Sequence, residues 1–242
     1  MKKTTKFLIF SIIGISVFAI LNSPIFLIGN VYINGAEQIS EEKVLKAANL
    51  GQNNGNIFYY PTRRNQRKLE ENSYIEKADI KRIFPNTIEV NIIERLPIAY
   101  IEYRDTYLSI DKKGNVIEVL TETSSPNSLP IVMGLNINSY TLGNPINLDK
   151  TEYLKTTLIL SNLLEKHNIT SETLRIDLKD LNNIYIYIEN MVVVFGNMEN
   201  ADEKISRVIA SIEPMREKGL NEYKGFYYVD DISKDSYFQL LK

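Results

Sequence analysis

The chain has 242 residues, enough for one or two domains with cores of their own. A net charge of −2 supplies no global field to gather nucleic acid or anionic lipid, and 44% hydrophobic with 24% charged residues is the balance of a folded protein. Cysteine and tryptophan are absent and His167 is the one histidine, so disulfides, thiolate metal ligands and thiol nucleophiles are excluded and imidazole chemistry is confined to one place.

Phe7 to Ile28 contains no charged residue. At 1.5 Å per residue this run spans roughly 33 Å, close to the thickness of a bilayer core. Lys2, Lys3 and Lys6 precede it, and the next cation is Lys43. The spacing predicts a cytoplasmic tail over 1–6 and a transmembrane helix over 7–28. A lysine is costly to carry across a bilayer, so the remaining residues, about 210, face outside. Asn22-Ser23-Pro24 interrupts the run near the outer interface, where water and headgroups can satisfy freed backbone groups. A cleaved signal peptide competes with this reading, with Phe7–Leu21 as its apolar region. Leu21/Ser23 and Leu27/Gly29, however, each supply one small residue where cleavage needs two.

Val31-Tyr32-Ile33 reads as a short strand and Asn34-Gly35 as a turn. Ser40 is a good N-cap, Glu41 and Glu42 suit the positive first turn of a helix, and Val44, Leu45 and Ala48 form its apolar face. Gly51 is the expected left-handed C-cap, and Gln52 to Asn56 a polar loop. Pro61 opens a second helix that runs to about Asn72 and carries Arg63, Arg64, Arg67 and Lys68, read as a solvated face. Ala78, Ile80 and Ile83 mark the next strand, Pro85-Asn86 a turn, and Ile88, Val90 and Ile92 a strand of clean period two. Strand, helix, helix, strand, strand in about 65 residues builds a two-layer domain, a three-stranded sheet under two helices.

Tyr107 to Val116 reads as strand, Asp/Gly turn, strand, and Leu129-Pro130-Ile131-Val132-Met133-Gly134 as a further short segment. Asp149 is placed to cap a helix ending near His167 that buries Leu154, Leu158 and Leu164. Ile184, Ile186 and Ile188 alternate with two tyrosines as a strand, with Met191–Phe195 beside it. Asn200 begins a helix with Glu203 in the capping-box position. Ile205, Val208, Ile209, Ile212 and Met215 share one face of it, and Pro214 should end or kink it. Phe226–Asp231 is the final strand. The class is therefore α+β: one anchor helix, a small domain over 29–95, and a larger β-rich domain with flanking helices over 96–242.

Several of these segments resemble one family. Val31–Ala36, Ile39–Glu42, Gly55–Phe58, Ile75–Val90 and Val90–Ala99 are similar to the POTRA domain of the FtsQ/DivIB bacterial cell-division proteins, whose signature here falls on Asn34, Gly35, Arg82, Pro85, Glu94, Arg95 and Pro97. Phe84 stands where tryptophan is frequent in that family. The hairpin at 107–116, the Leu129–Gly134 segment and Gly196 resemble its second domain. The resemblance implies a non-enzymatic scaffold of the division septum, fixed by one span in the cytoplasmic membrane, N-terminus inside and C-terminus outside. It implies no cofactor, no nucleic acid and no small-molecule substrate. Its implied partners are single-pass coiled-coil division proteins of the FtsB/DivIC and FtsL types.

Catalytic readings are weak on the residues themselves. His167 sits at a polar helix end, and neither Ser161 nor Ser171 lies in a nucleophile elbow. Glu41/Glu42, Glu70/Glu71 and Asp230/Asp231 are adjacent acids, but neighbours on a strand point to opposite faces, which is poor geometry for a glycosidase pair. A membrane-anchored wall hydrolase or another exported binding protein remains the alternative function. A carrier for outer-membrane assembly would need many barrel strands where about 145 residues follow the first domain. The sharpest site is the final strand. A chain's last strand often lies at a sheet edge, where unpaired N–H and C=O groups can accept an extended segment. In FtsQ proteins the corresponding strand and adjoining helix bind the coiled-coil partner. Tyr228-Val229-Asp230 resembles that strand and Lys204-Ile205-Ser206-Arg207 that helix. The implied partner-binding residues are Lys204, Arg207, Phe226, Tyr227, Tyr228, Val229, Asp230, Asp231 and Ile232, with Asp231 departing from the apolar residue usual there.

Overall fold

The structure is a computed structural model and describes residues 3–51, 55–121, 129–217 and 224–241. Lys2 and most of the expected polar loop at 52–56 lie outside them. The chain divides into two compact units, Met1–Arg95 and Leu96–Lys242.

The first unit begins with α1, Lys3–Leu21, an uninterrupted helix. Its segment Thr4–Leu21 has mean hydropathy 2.1 with no residue buried, so its apolar surface has no protein partner here and fits a bilayer. The helix stops at Leu21, short of the expected Ile28. Asn22-Ser23-Pro24 ends it, and Pro24 opens a single 3-10 turn, Pro24–Phe26. Ile28 is 6% exposed and belongs to the core of the folded domain that follows.

That domain has the strand-helix-helix-strand-strand order read from the sequence: β1 (Asn30–Asn34), α2 (Glu41–Ala47), α3 (Thr62–Glu70), β2 (Ile75–Ile83) and β3 (Thr87–Glu94). The sheet order is β1-β3-β2, with β1 parallel and β2 antiparallel to the central strand. Ile88, Val90 and Ile92 of β3 meet Ala78 and Ile80 of β2 and Val44 and Leu69 of the helices in one core. Period two also explains the exception: Ile80 points inward, so Ile83 falls on the opposite face and is 46% exposed. The bulge between Ile75 and Lys77 brings Ile75 back to the buried side. Helix α2 ends through Asn49, at φ +54, instead of Gly51, since asparagine tolerates the left-handed region. Pro61 stands as the N-cap of α3, one position before the first helical residue.

Several signature residues pin this unit. Glu94 closes the sheet's far end. Its carboxylate accepts the backbone N–H groups of Glu37, Gln38 and Ile39 at 3.0–3.1 Å, satisfying the turn that leads into α2. Gly35 holds φ +78 beside the Ile92 carbonyl, where a Cβ would collide with backbone. The Asn34 side chain donates to Asn91 Oδ1 at 2.9 Å. Arg82 donates to the Tyr60 carbonyl at 2.7 Å, tying β2 to the entry of α3, and the Arg95 N–H donates to the Tyr74 carbonyl at 2.8 Å. Pro85 follows a cis peptide bond.

The second unit is built on a nine-stranded mixed sheet in the order β14-β13-β12-β11-β10-β7-β4-β5-β6. Its strands are β4 (Pro97–Tyr103), β5 (Thr106–Asp111), β6 (Val116–Thr121), β7 (Ile131–Met133), β10 (Thr173–Asp177), β11 (Ile184–Ile188), β12 (Met191–Gly196), β13 (Gly225–Tyr228) and β14 (Tyr237–Leu240). The small pair β8 (Ile137–Ser139) and β9 (Asn147–Leu148) stands apart. Pro97 opens β4, where a missing N–H is harmless. The helices α4 (Thr151–Lys166) and α5 (Ala201–Glu217) share one core with alternate strand residues such as Ile101, Ile186 and Val193.

Three local expectations fail here. Lys150, not Asp149, is the N-cap of α4, without a side-chain cap bond, and the Asp149 N–H donates to the Asn136 carbonyl beside β8 and β9. Leu164 is fully buried as expected, Leu154 and Leu158 pack against the same core, and Leu160 and Thr157 are buried with them. Asn200 has φ +53, incompatible with the extended N-cap of a capping box, and Glu203 pairs forward with Arg207 at 2.8 Å. Pro214 does not end α5, which runs on to Glu217. A proline this near the C-terminus forfeits one backbone bond while Ile212 and Met215 still pack on the core.

Glu94→Ala is expected to lower the unfolding free energy of the first unit by about 2 kcal/mol, since three N–H donors lose one anionic acceptor. Urea titration followed by circular dichroism checks this, and a midpoint equal to that of the unaltered protein would remove the role assigned to Glu94.

Candidate interaction surface

The residues singled out for partner binding lie on α5, on β13 and in the link that follows β13. Strand β12 delivers the chain into α5, which returns it as β13 parallel to β12, with Met191 opposite Gly225 and Val194 opposite Tyr228. The chain then turns and comes back as β14, antiparallel, with Gly225 opposite Leu240 and Tyr228 opposite Tyr237. This return corrects the edge reading. Phe226–Tyr228 is hydrogen-bonded on both sides, and the outer position belongs to β14. A side chain at Gly225 would run into the Phe238 ring, so the glycine is what lets the two strands close together.

Alternation then sorts the candidates. Tyr227 and Val229 face the core and are 3% and 2% exposed. The Tyr227 hydroxyl is bonded to Ser211 of α5 and to Ser236 Oγ at 2.7 Å, joining helix, strand and link. Phe226 and Tyr228 lie half-buried on the opposite face, where Tyr228 stacks on Tyr237 at 4.6 Å with 14° between the planes.

The basic pair on α5 splits as well. Lys204 is 1% exposed. Its ammonium donates to the Asn197 carbonyl at 2.9 Å and lies 5.2 Å from the Phe195 ring, holding the turn after β12. Burial pushes its pKa down, against the pull of Asp230, Glu199 and Asp231. Arg207 is a clamp: its guanidinium donates to the carbonyls of Ile232 at 2.7 Å and Lys234 at 3.0 Å and to Glu203 at 2.8 Å. The link is thereby held against α5.

Asp231 organises the same link from within. One carboxylate oxygen accepts the Ser233 hydroxyl at 2.6 Å and its N–H at 3.0 Å, and the other meets Lys234 Nζ at 2.9 Å. The Ser233 and Lys234 bonds hold the carboxyl down at about 2. The acid that breaks the apolar family pattern is therefore a turn-former. Asp230 is exposed next to Gly196, and Ile232 is half-buried.

Residues that sequence reasoning did not single out complete the surface. Tyr237, Leu240 and Leu241 are 56%, 49% and 53% exposed on and just beyond the outermost strand. The run Tyr237-Phe238-Gln239-Leu240-Leu241 after Ser-Lys-Asp-Ser was the available signal, a short strand behind a turn. His167 lies elsewhere, at the end of α4, with Nε2 2.8 Å from Asp202 Oδ1. Lys166, and then His167, hold the Asp202 carboxyl below its ordinary value. Among the described residues, no three His, Cys, Asp or Glu side chains gather as metal ligands would.

Asp231→Asn keeps the turn's acceptor geometry and removes its charge. A depressed carboxyl stabilises above the unfolded-state value near 4, and that contribution is lost as pH falls through about 2. The variant should be less stable than the unaltered protein at neutral pH and equal to it near pH 2. Urea midpoints measured across that range check the convergence, and a gap that stays constant with pH would refute the charge contribution.

Comparison with known proteins places the chain. Residues 26–95 match the model of the POTRA domain, FtsQ-type. The cell division protein DivIB of Clostridium tetani is 29% identical over 207 residues, covering 83% of this chain and 76% of the relative. DivIB of Bacillus subtilis is 21% identical over 238 residues, covering 97% and 85%. DivIB of Staphylococcus aureus strain NCTC 8325 is 32% identical over 113 residues, covering 46% of this chain and 25% of that protein.

Proposed function

Since the chain is a homologue of the DivIB and FtsQ cell-division proteins, carrying their type of POTRA domain, we propose that it is a non-enzymatic scaffold of the division machinery that captures single-pass coiled-coil partners of the FtsB/DivIC and FtsL kinds. In this reading residues 1–6 are cytoplasmic, α1 spans the membrane, and the POTRA domain over 29–95 and the β domain over 96–242 work outside at the septum. Lys2, Lys3 and Lys6, before the charge-free run that starts at Phe7, support that direction of threading.

The observation that carries the reading is the outer strand β14. It is the last in the sheet order, and it presents one row of backbone N–H and C=O groups outward. An extended partner segment adds to such an edge, with backbone bonds supplying affinity and side-chain contacts selectivity. Tyr237 and Leu240 are exposed on this strand, and Tyr228 backs it through its stack on Tyr237. Arg207, Asp231 and Tyr227 set the link that positions β14, and Lys204 supports the turn behind them. Their part in capture is to hold the docking strand.

Tyr237→Glu and Leu240→Lys place charges along the edge without touching the core. Each is expected to weaken capture of the partner's extracytoplasmic segment by at least about tenfold, roughly 1.4 kcal/mol, with the fold intact by circular dichroism. Val229→Lys is a poorer probe, because its side chain is in the core. Titration of the full-length protein in nanodiscs reads the effect, and unchanged affinity in both variants would sink the edge assignment. In cells, a fluorescent fusion should collect at septa, and protease added outside should remove the C-terminal region. Diffuse membrane signal, or a protected C-terminus, would count against the scaffold and its threading.

A further inference from the structure

The exit of α1 is laced directly into two loops of the POTRA domain. The Leu21 carbonyl accepts the Asn56 side-chain amide at 2.6 Å. The Ile28 N–H donates to the Gly55 carbonyl at 3.1 Å, and the Ile57 N–H to the Phe26 carbonyl at 2.9 Å. The Gly29 and Asn30 N–H groups both reach the Asn86 carbonyl, at 2.9 and 3.3 Å. The charge-free part of α1, Phe7–Leu21, measures only about 22 Å, less than the thickness of the hydrocarbon layer, so its last turn stands no farther out than the hydrocarbon boundary. The loops bonded to it stand in the headgroup layer, some 5–7 Å deep on each side.

The side chains at this end suit that layer. Ile25, Leu27, Tyr59, Ile83 and Phe84 are 59%, 48%, 64%, 46% and 55% exposed, although the domain beside them has a well-filled core. The rings of Phe26, Phe58 and Phe84 form a chain with centroids 4.9 and 5.0 Å apart. Exposed apolar and aromatic side chains gathered this way mark a contact surface. Cations are concentrated near the same end, with Asp79 and Glu89 as the neighbouring acids. The segments 22–36, 55–69 and 80–88 hold six cations, Arg63, Arg64, Arg67, Lys68, Lys81 and Arg82, and no acid. At the other end of the sheet stand Glu37, Glu41, Glu42 and Glu94. Two of the cations have partners of their own: Arg82 donates to the Tyr60 carbonyl, and Lys81 lies 3.4 Å from Asp79.

We propose that this end of the POTRA domain is a lipid-binding foot, seated in the headgroups of an anionic bilayer around the exit of α1. Ile25, Tyr59 and Phe84 enter the interface, where aromatic rings are favoured, and Arg63, Arg64 and Lys81 meet phosphate. The occupant is lipid because the surface is continuous with the helix that already crosses it, and because the cations Arg63, Arg64, Arg67, Lys68, Lys81 and Arg82 outnumber the acids beside it, Asp79 and Glu89. The proposal rests on membrane anchoring and is independent of what β14 captures.

The absence of cysteine makes the test direct. Single thiols introduced as Phe84→Cys, Tyr59→Cys and Ile93→Cys carry an environment-sensitive fluorophore on the full-length protein, in phosphatidylcholine vesicles with and without phosphatidylglycerol. Ile93 is 56% exposed, matching Phe84, but stands six residues along β3 from Thr87, roughly 20 Å from the helix exit. Headgroup-borne nitroxide should quench the labels at 84 and 59 several-fold more than the label at 93. Phosphatidylglycerol should deepen that difference, and Arg63→Glu with Arg64→Glu should reduce it. Equal quenching at all three sites would overturn the foot. Shielding at 84 that occurs only in native membranes with their full protein complement would overturn it too, assigning the patch to a protein. Circular dichroism of each labelled variant secures the comparison, and two independent sites guard against one that fails to fold.

Discussion

A strand inside a sheet has both rows of backbone groups satisfied by neighbours, whereas a strand at the margin has one row facing outward. The second unit depends on where that margin falls. Its nine strands end at β14, four residues whose place is set by a link that three side chains hold. Arg207 grips the link's carbonyls, Asp231 folds it from within, and the Tyr227 hydroxyl joins it to α5. None of these groups needs to meet a partner to matter. Displacing the link would shift β14 and expose β13, whose inward side chains are the core itself.

The same economy governs the other candidate residues. A buried lysine is stable only when its ammonium is bonded, and Lys204 has the carbonyl of Asn197 and the face of Phe195. That arrangement joins the start of α5 to the end of β12, so the crossover leading to β13 starts from a fixed point. The residues that resemble a binding motif in the chain therefore form the frame behind β14.

In the first unit the organising feature is direction. Strands β1 and β3 run away from the exit of α1, so one end of the sheet adjoins the apolar helix and the other the turn closed by Glu94. Exposed rings collect at the first end, beside Arg63 and Arg64. The Asn56 amide on the Leu21 carbonyl satisfies a helix-end acceptor that would otherwise rely on water or headgroups.

Much of this was written in local chemistry. The apolar run of α1, the period two of Ile88, Val90 and Ile92, the Asp111–Gly114 turn and the apolar stripe on α5 each follow from spacing alone, because burial on one face imposes a period on the chain. What local chemistry could not decide was which of two permitted outcomes the neighbours would select. Asn49 took the left-handed position in place of Gly51, Lys204 turned inward instead of outward, and Ile28 joined a core instead of a bilayer. The margin of the sheet was the most consequential case. Phe226–Asp231 has every local property of a last strand, yet a Cβ-free Gly225 and a tethered link allow four further residues to fold back over it. Edge or interior is a property of pairing between distant segments, and only the assembled sheet contains it.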